Sequence, residues 1–162
     1  MSAVIVSLPQ GNYRNHDAVE KVVNYIMRLQ NPKLIGGYGV FAISPDLVIR
    51  EFYMVKKVYN KMENKQIVHI VISIEESLPF TPLEVRRLAE MIAQYFAYER
   101  QVIFAVHDDT KHLHIHMGIN TVAYTNGNYC GFFDISELRE YAKKCMDILI
   151  DEVIFNKKIK QK

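Results

Sequence analysis

The chain has 162 residues, 49% of them hydrophobic and 23% charged, with a formal net charge of +2, which is ordinary for one globular domain with its own core. The two cysteines, Cys130 and Cys145, form no spaced cluster, which argues against a disulfide framework or a zinc–thiolate site. The N-terminus lacks the features of a signal peptide, and no window approaches the roughly 20 apolar residues of a membrane span. We therefore expect a cytoplasmic protein in a reducing compartment, with no membrane partner.

The excess of positive charge lies at the C-terminus. Four lysines fall within residues 156–162, namely Lys157, Lys158, Lys160 and Lys162. The rest of the chain is about neutral to acidic, so bulk charge does not indicate a nucleic-acid-binding protein, and any DNA binding must come from local patches. We expect one domain over residues 1–156 and a solvated, frayed basic tail over residues 157–162.

The first segments predict a strand and a helix. Residues 2–8 are rich in β-forming residues, and Asp17 with Glu20 forms a capping-box pattern that predicts a helix over about 17–30. Apolar residues at helical spacing give this helix an inner stripe of Val19, Val22, Val23, Ile26 and Leu29.

A loop, a second helix and a strand follow. Segment 34–40 is glycine-rich, and we expect its glycines to form turns rather than a phosphate cradle; they are Gly36, Gly37 and Gly39. Ser44 and Pro45 predict the start of the second helix. Its expected inner stripe is Leu47, Phe52, Val55, Tyr59 and Met62. Residues 66–74 predict a buried strand.

The second half of the chain predicts two helices around a pair of strands. Thr81, Pro82 and Glu84 predict the start of a helix that continues to about residue 98, with inward residues Val85, Leu88, Ile92 and Phe96. Segments 101–108 and 112–124 predict two strands joined by a short turn. A tight turn is then expected at Asn126-Gly127, and a last helix from Asp134 to about residue 155. The order β-α-α-β-α-β-β-α predicts an α+β fold with a largely antiparallel sheet and helices packed on it.

Four of the six histidines fall within ten residues: His107, His112, His114 and His116. Because side chains alternate along a strand, the segment from His112 to Asn120 places its histidines and Gly118 on one face and its apolar residues on the other. A two-residue turn at Thr110-Lys111 would pair His107 with His114 and Asp109 with His112. Imidazoles at that spacing can converge on one divalent cation, and Gly118 would let a substrate backbone approach.

This pattern resembles the third motif of plasmid mobilisation relaxases, which belong to the HUH endonucleases. The motif is carried by His107, Asp109, His114, Ile115, His116 and Asn120. Residues 24–27 (Asn-Tyr-Ile-Met) resemble the family's nucleophile motif, and segment 34–40 with the helix after it is similar to small relaxases from Gram-positive bacteria. The likeness covers most of residues 15–135.

The resemblance implies a role for each matching residue. It implies an enzyme that nicks one DNA strand at an origin of transfer, with Tyr25 attacking the scissile phosphate and staying linked to the 5′ phosphate. His107, His114 and His116 would be the metal ligands, and Asp109 would fix the tautomer of an imidazole. The implied cofactor is Mg²⁺ or Mn²⁺, although three imidazoles ordinarily favour metals such as Zn²⁺.

The partners that the resemblance implies are single-stranded or hairpin origin DNA and accessory mobilisation proteins. Basic side chains are expected to contact phosphates, and tyrosines to stack on bases. The expected DNA-contacting residues are Arg14, Arg28, Lys33, Lys56, Lys57, His112 and Asn120. His69 lies inside an apolar segment, and we interpret it as a core residue.

Three alternatives stay open at this point. Residues 112–118 also fit histidine-triad nucleotide hydrolases, but that interpretation leaves His107, Asp109 and Asn120 without a role. A rolling-circle replication initiator would use Tyr141, in the pattern Tyr-Ala-Lys-Lys, yet Tyr141 shares an apolar helical stripe and is expected to be buried. The third alternative is a non-catalytic DNA-binding module, against which the intact set of ligands argues.

Overall fold

Every strand pair in the sheet is antiparallel. The computed structural model describes residues 3–28 and 31–162. The strands are β1 (Val4–Ser7), β2 (Ile35–Tyr38), β3 (Ile67–Ile74), β4 (Val102–His107) and β5 (His114–Asn120). They lie in the order β1-β3-β5-β4-β2. The helices are α1 (Ala18–Ile26), α2 (Pro45–Val58), α3 (Pro82–Ala97) and α4 (Ile135–Lys160). The predicted α+β class is confirmed, and none of the helices described is long and apolar enough to cross a membrane.

Helices cover both faces of the sheet. Helices α3 and α4 pack on one face, against alternate strand residues such as Ile115, Met117 and Ile119. Helices α1 and α2 pack on the other face, against Ile67, Ile103 and Ala105. Because side chains alternate along β5, the histidines of that strand point to the face that carries α1 and α2.

Helix starts follow local capping chemistry in two of three predicted cases. Thr81 and Glu84 form a complete capping box at the start of α3, and the Ser44 hydroxyl accepts from the Leu47 amide at the start of α2. The capping box predicted at Asp17 is wrong, because that side chain makes no capping hydrogen bond and pairs with Lys21 instead.

Two predicted helical details need correction. Helix α1 ends at Ile26 rather than near residue 30, and Leu29 lies outside the described residues; the other four stripe residues are buried as predicted. The buried stripe of α2 is Val48, Phe52 and Lys56, so only Phe52 of the predicted stripe is fully buried. The inward residues predicted for α3 are all buried.

The glycine-rich segment forms strand β2 instead of a loop. A Cβ atom at position 36 would lie 2.6 Å from the Phe104 ring, and one at position 37 would lie 2.7 Å from the Val102 carbonyl oxygen. These two glycines therefore allow close packing within the sheet. Gly39, with φ of +69°, makes the turn that ends the strand.

The C-terminal helix is longer than predicted. It continues to Lys160, so Lys157, Lys158 and Lys160 are helical. Only the last two residues of the expected frayed tail lie beyond the helix. The turn at Asn126-Gly127 is confirmed, with φ of +73° at the glycine.

Candidate active site

The histidine face is built by cross-strand pairing of β3, β5 and β4. His107 pairs directly with His114, the pairing that was expected from a two-residue turn. His116 pairs with Ala105 on one side and Val71 on the other, and His69 pairs with Gly118. Residues paired in this way share one face of a sheet. The predicted two-residue turn is wrong, because the strands end at His107 and His114 and a six-residue connection (108–113) joins them.

His116 lies at the centre of the imidazole cluster. Its ring stacks on His107 with centroids 4.2 Å apart, and the His69 centroid lies 5.3 Å away. The His69 Nε2 atom is 3.1 Å from His116 Nδ1, so one nitrogen donates a proton to the other. The His114 ring is farther out, with its centroid 6.4 Å from that of His116.

His69 belongs to this cluster, so the sequence interpretation of it as a core residue missed its place. It is buried, as expected, but it contacts His116 and lies edge-on to Tyr25 and Tyr13, with centroids 6.1 and 6.3 Å away. The signal was weak because His69 shares its face of β3 with the apolar residues Ile67 and Val71. Knowledge that β3 pairs with β5 is needed to align His69 with the histidines.

Burial keeps these imidazoles neutral. It lowers the pKa of His116 to about 3 and that of His69 to about 4, with neighbouring imidazoles adding to the effect. Burial also lowers the pKa of His107, although the Ile26 carbonyl acts in the opposite direction. At neutral pH these rings are therefore weak bases whose lone pairs are available for binding a metal.

Helix α1 delivers Tyr25 to the imidazoles, as the resemblance implies. The Tyr25 ring lies 5.2 Å from the His116 ring and 5.5 Å from the His107 ring, and it is 44% exposed. Its neighbour Ile26 is fully buried on the sheet. The helix therefore anchors on its apolar stripe while the tyrosine stays accessible to a large substrate.

Gly118 allows α1 to approach the sheet. A Cβ atom at this position would lie 3.0 Å from Ile67 and 3.1 Å from both Ile103 and Ile26. The expectation that Gly118 admits a substrate backbone is therefore corrected: it admits the helix that carries Tyr25.

Asp109 binds Arg28, and this corrects the expectation that its carboxylate fixes an imidazole tautomer. Arg28 Nη1 donates to Asp109 Oδ2 at 2.7 Å, and Arg28 Nη2 donates to His107 Nδ1 at 3.1 Å. The guanidinium carbon lies 4.9 Å from the centre of the Tyr25 ring. The ion pair lowers the pKa of Asp109 and raises that of Arg28.

The Ile26 carbonyl sets the tautomer of His107. Its oxygen lies 2.9 Å from His107 Nε2. A carbonyl oxygen only accepts, so Nε2 carries the proton and Nδ1 holds the lone pair that Arg28 contacts.

Other predicted DNA-contacting residues surround the cluster. Arg14 is exposed and follows Tyr13, whose ring is edge-on to His69. Lys33 is exposed just before β2, and Ile35 of that strand pairs with Ala105, so Lys33 lies at the same end of the sheet as His107. His112 is exposed, with its ring 6.3 Å from that of His114.

Two predicted DNA contacts are incompatible with the structure. Asn120 is 0% exposed, and its amide nitrogen donates to the Phe52 carbonyl and the Gln101 side chain. Lys56 is 1% exposed and donates to the Thr121 hydroxyl. Both residues join elements inside the protein, so neither reaches a phosphate. Lys57 is exposed.

Tyr141 lies in the helical layer on the opposite face of the sheet from the histidines. Its hydroxyl donates to the Met91 carbonyl at 3.2 Å, and its ring packs 5.2 Å from that of Tyr95. It is half-buried rather than fully buried. This placement argues against the replication-initiator alternative.

The imidazoles have the chemistry to bind a divalent cation, and they lie on one face of the sheet. Their ring nitrogens do not, however, converge on a single point. Within residues 3–28 and 31–162, no three His, Cys, Asp or Glu side chains are already grouped to hold one ion. His107 has both ring nitrogens engaged, whereas His114 carries no such restraint from Ile26 or Arg28. A cation could reach His107 Nδ1 only if Arg28 moved away from it.

A model of a known protein family matches most of the chain. Residues 25–148 match the family model described as "Relaxase: MobA/VirD2-like, nuclease domain". No curated protein matches the chain. The matched segment covers well over half of the sequence and includes Tyr25, the histidine cluster and Asp109. Members of the family bind single-stranded origin-of-transfer DNA and generally depend on a divalent metal ion. The chain belongs to the MobA/VirD2-like relaxase nuclease family, and as such it is a single-strand DNA endonuclease and transesterase.

Proposed function

We propose that this relaxase nicks an origin-of-transfer strand through Tyr25 and leaves a 5′-phosphotyrosyl link. The main observation in support is that the exposed Tyr25 ring lies directly against the rings of His116 and His107. Tyr25 is the tyrosine that combines these imidazole contacts with an exposed position at the start of the matched segment. In-line attack requires such proximity before any activation can act.

The reaction exchanges one phosphate ester for another. The Tyr25 oxygen forms a bond to the scissile phosphorus, and the bond from phosphorus to the 3′ oxygen breaks. The tyrosine hydroxyl loses its proton, and the departing 3′ oxygen takes one up, so no external oxidant or energy source is needed. Water can carry the proton away, because Tyr25 is 44% exposed. The buried imidazoles, with pKa values of about 3 and 4 at His116 and His69, are weak bases and are better suited to binding a cation.

His107, His114 and His116 are the proposed ligands of a divalent cation, Mg²⁺ or Mn²⁺ in use. When bound, such an ion supplies charge neutralisation at the phosphate oxygens. His69 holds His116 through the contact between their ring nitrogens, which orients the central ligand.

Arg14, Arg28, Lys33 and His112 are the proposed DNA-contacting residues. Arg28, Lys33 and His112 lie at the His107–His114 end of the sheet, which supports this assignment. Arg14 follows Tyr13, whose ring is edge-on to His69. The DNA strand can also reach the part of the histidine-bearing sheet face near β1, where Ile5 and Ser7 are exposed. We also propose that the protein acts in the cytoplasm together with an accessory mobilisation protein, and that residues 1–156 form a single domain.

A randomised pool of single-stranded DNA tests the proposal without knowledge of the origin sequence. Protein is incubated with strands labelled at the 3′ end or at the 5′ end, with Mn²⁺ or with a chelator, and analysed on a denaturing gel. We expect labelled protein only with the 3′ label and Mn²⁺, and loss of the adduct in Tyr25→Phe. Tyr141→Phe is the matched control and should form the adduct normally. An adduct that persists in Tyr25→Phe would contradict the proposal.

A further inference from the structure

Arg28 occupies the one lone pair through which His107 can bind a cation. The Ile26 carbonyl holds the proton of His107 on Nε2, which leaves only Nδ1 as a donor atom for a metal. Arg28 Nη2 lies 3.1 Å from that atom. A guanidinium has no acceptor, so this contact uses the lone pair of Nδ1.

Arg28 is held in this position by a second, stronger contact. Its Nη1 atom donates to Asp109 at 2.7 Å, and the two side chains are 36% and 40% exposed. Both side chains of the ion pair are partly exposed, so the guanidinium has room to turn away from His107 while its contact with Asp109 keeps it beside the Tyr25 ring.

We propose that Arg28 and the divalent cation compete for His107 Nδ1, so that metal binding releases Arg28 Nη2 for a DNA phosphate. This rests on the proposed metal site and deepens it. Arg28 is a positioning residue in the metal-free protein, where it orients the His107 ring and covers the Nδ1 lone pair that a cation would use. Once released, the guanidinium is a phosphate donor placed next to the attacking tyrosine.

Competition makes a specific prediction for metal affinity. Arg28→Gln should bind Mn²⁺ about tenfold more tightly than the wild type in calorimetric titration of the metal-free protein. Arg28→Lys separates competition from through-space repulsion, because it keeps the charge but not the forked geometry. We expect Arg28→Lys to bind Mn²⁺ more tightly than the wild type as well. Unchanged affinity in Arg28→Gln, or wild-type affinity in Arg28→Lys, would overturn the proposal.

Nitrogen NMR gives a readout that does not depend on catalysis. Zn²⁺ is the diamagnetic probe. Its addition should shift the His107 Nδ1 resonance and change the Arg28 guanidinium resonances together. Binding through Nε2, or binding that leaves the Arg28 signals unchanged, would also overturn the competition.

The variant His116→Ala distinguishes a wrong metal site from a correct site at which Arg28 does not compete. This variant should lose Mn²⁺ affinity if the imidazole cluster is the site. If His116→Ala binds Mn²⁺ as tightly as the wild type, the proposed site itself is wrong. If it loses affinity while the Arg28 variants behave like the wild type, the site is correct and only the competition fails.

Discussion

At the scale of single residues, the site depends on contacts between side chains from distant parts of the chain. His69, His107 and His116 come from three strands, and Tyr25 comes from a helix. The alternation of His114 and His116 was readable from the sequence because a period of two indicates a strand face. The contact from His69 to His116 was not readable, since it depends on which strands pair.

His69 should support catalysis through His116. His69→Gln removes the ring that contacts His116 Nδ1 and so loosens the orientation of the central imidazole. We expect the single-turnover rate of adduct formation to fall by about tenfold, a loss typical of removing a group that orients a ligand. The affinity for single-stranded DNA should stay near the wild-type value, because His69 is buried. A fall in DNA affinity with an unchanged rate would contradict this role.

At the scale of elements, packing against the sheet determines where Tyr25 lies. The apolar spacing of α1 and α3 predicted their buried residues correctly, because a regular stripe leaves one possible inner face. Segment 34–40 was predicted wrongly, because glycines indicate turns unless a close approach requires them, and here Phe104 and the Val102 carbonyl impose that approach. The predicted buried stripe of α2 was wrong because it left out Lys56. A charged residue is normally assigned to the surface, but this lysine is buried.

Gly118→Ala should displace α1 and thereby weaken catalysis. The added methyl group would lie 3.0 Å from Ile67 and 3.1 Å from Ile26, and overpacking of this kind costs about 1–3 kcal/mol. Urea unfolding should show that loss, and adduct formation should fall further than the stability loss explains, because Tyr25 moves with the helix. Ser7→Ala, on an exposed position of the same sheet, is the control and should change stability by less than about 0.5 kcal/mol. Wild-type stability and activity in Gly118→Ala would contradict this account of the glycine.

At the scale of the whole molecule, one face of the sheet builds the core with α3 and α4, and the other face carries both α1 and the chemistry. The sequence predicted the class and the antiparallel sheet, because hairpin and helix signals were local. It did not predict the strand order β1-β3-β5-β4-β2, which arises from long-range pairing. This order places β5 in the centre of the sheet, with His69 on one side of its histidines and His107 on the other.

Lys56 should make the stability of the whole protein depend on pH. Burial, with a smaller effect of the Arg100 charge, lowers its pKa from 10.5 to about 7. Between these values the unfolded chain binds a proton that the folded protein does not, so the stability falls as the pH falls from about 10.5 to about 7 and this effect then levels off. Lys56→Met lacks the amine. As the pH falls from about 10.5 to about 7, we expect its free energy of unfolding to rise relative to that of the wild type by on the order of 5 kcal/mol, because each pKa unit corresponds to about 1.4 kcal/mol. A difference that does not vary with pH would contradict the prediction.

The central claim is that Tyr25 is the residue that becomes linked to DNA, and peptide mapping of the covalent adduct tests it most directly. The adduct formed with a 3′-labelled single strand in Mn²⁺ is digested with protease and nuclease, and the modified peptide is sequenced by mass spectrometry. We predict one nucleotide-bearing peptide that contains Tyr25, with the mass carried by the tyrosine oxygen through a 5′ phosphate. A phosphodiester link at Tyr141, or a phosphorus–nitrogen link at a histidine, would contradict the account.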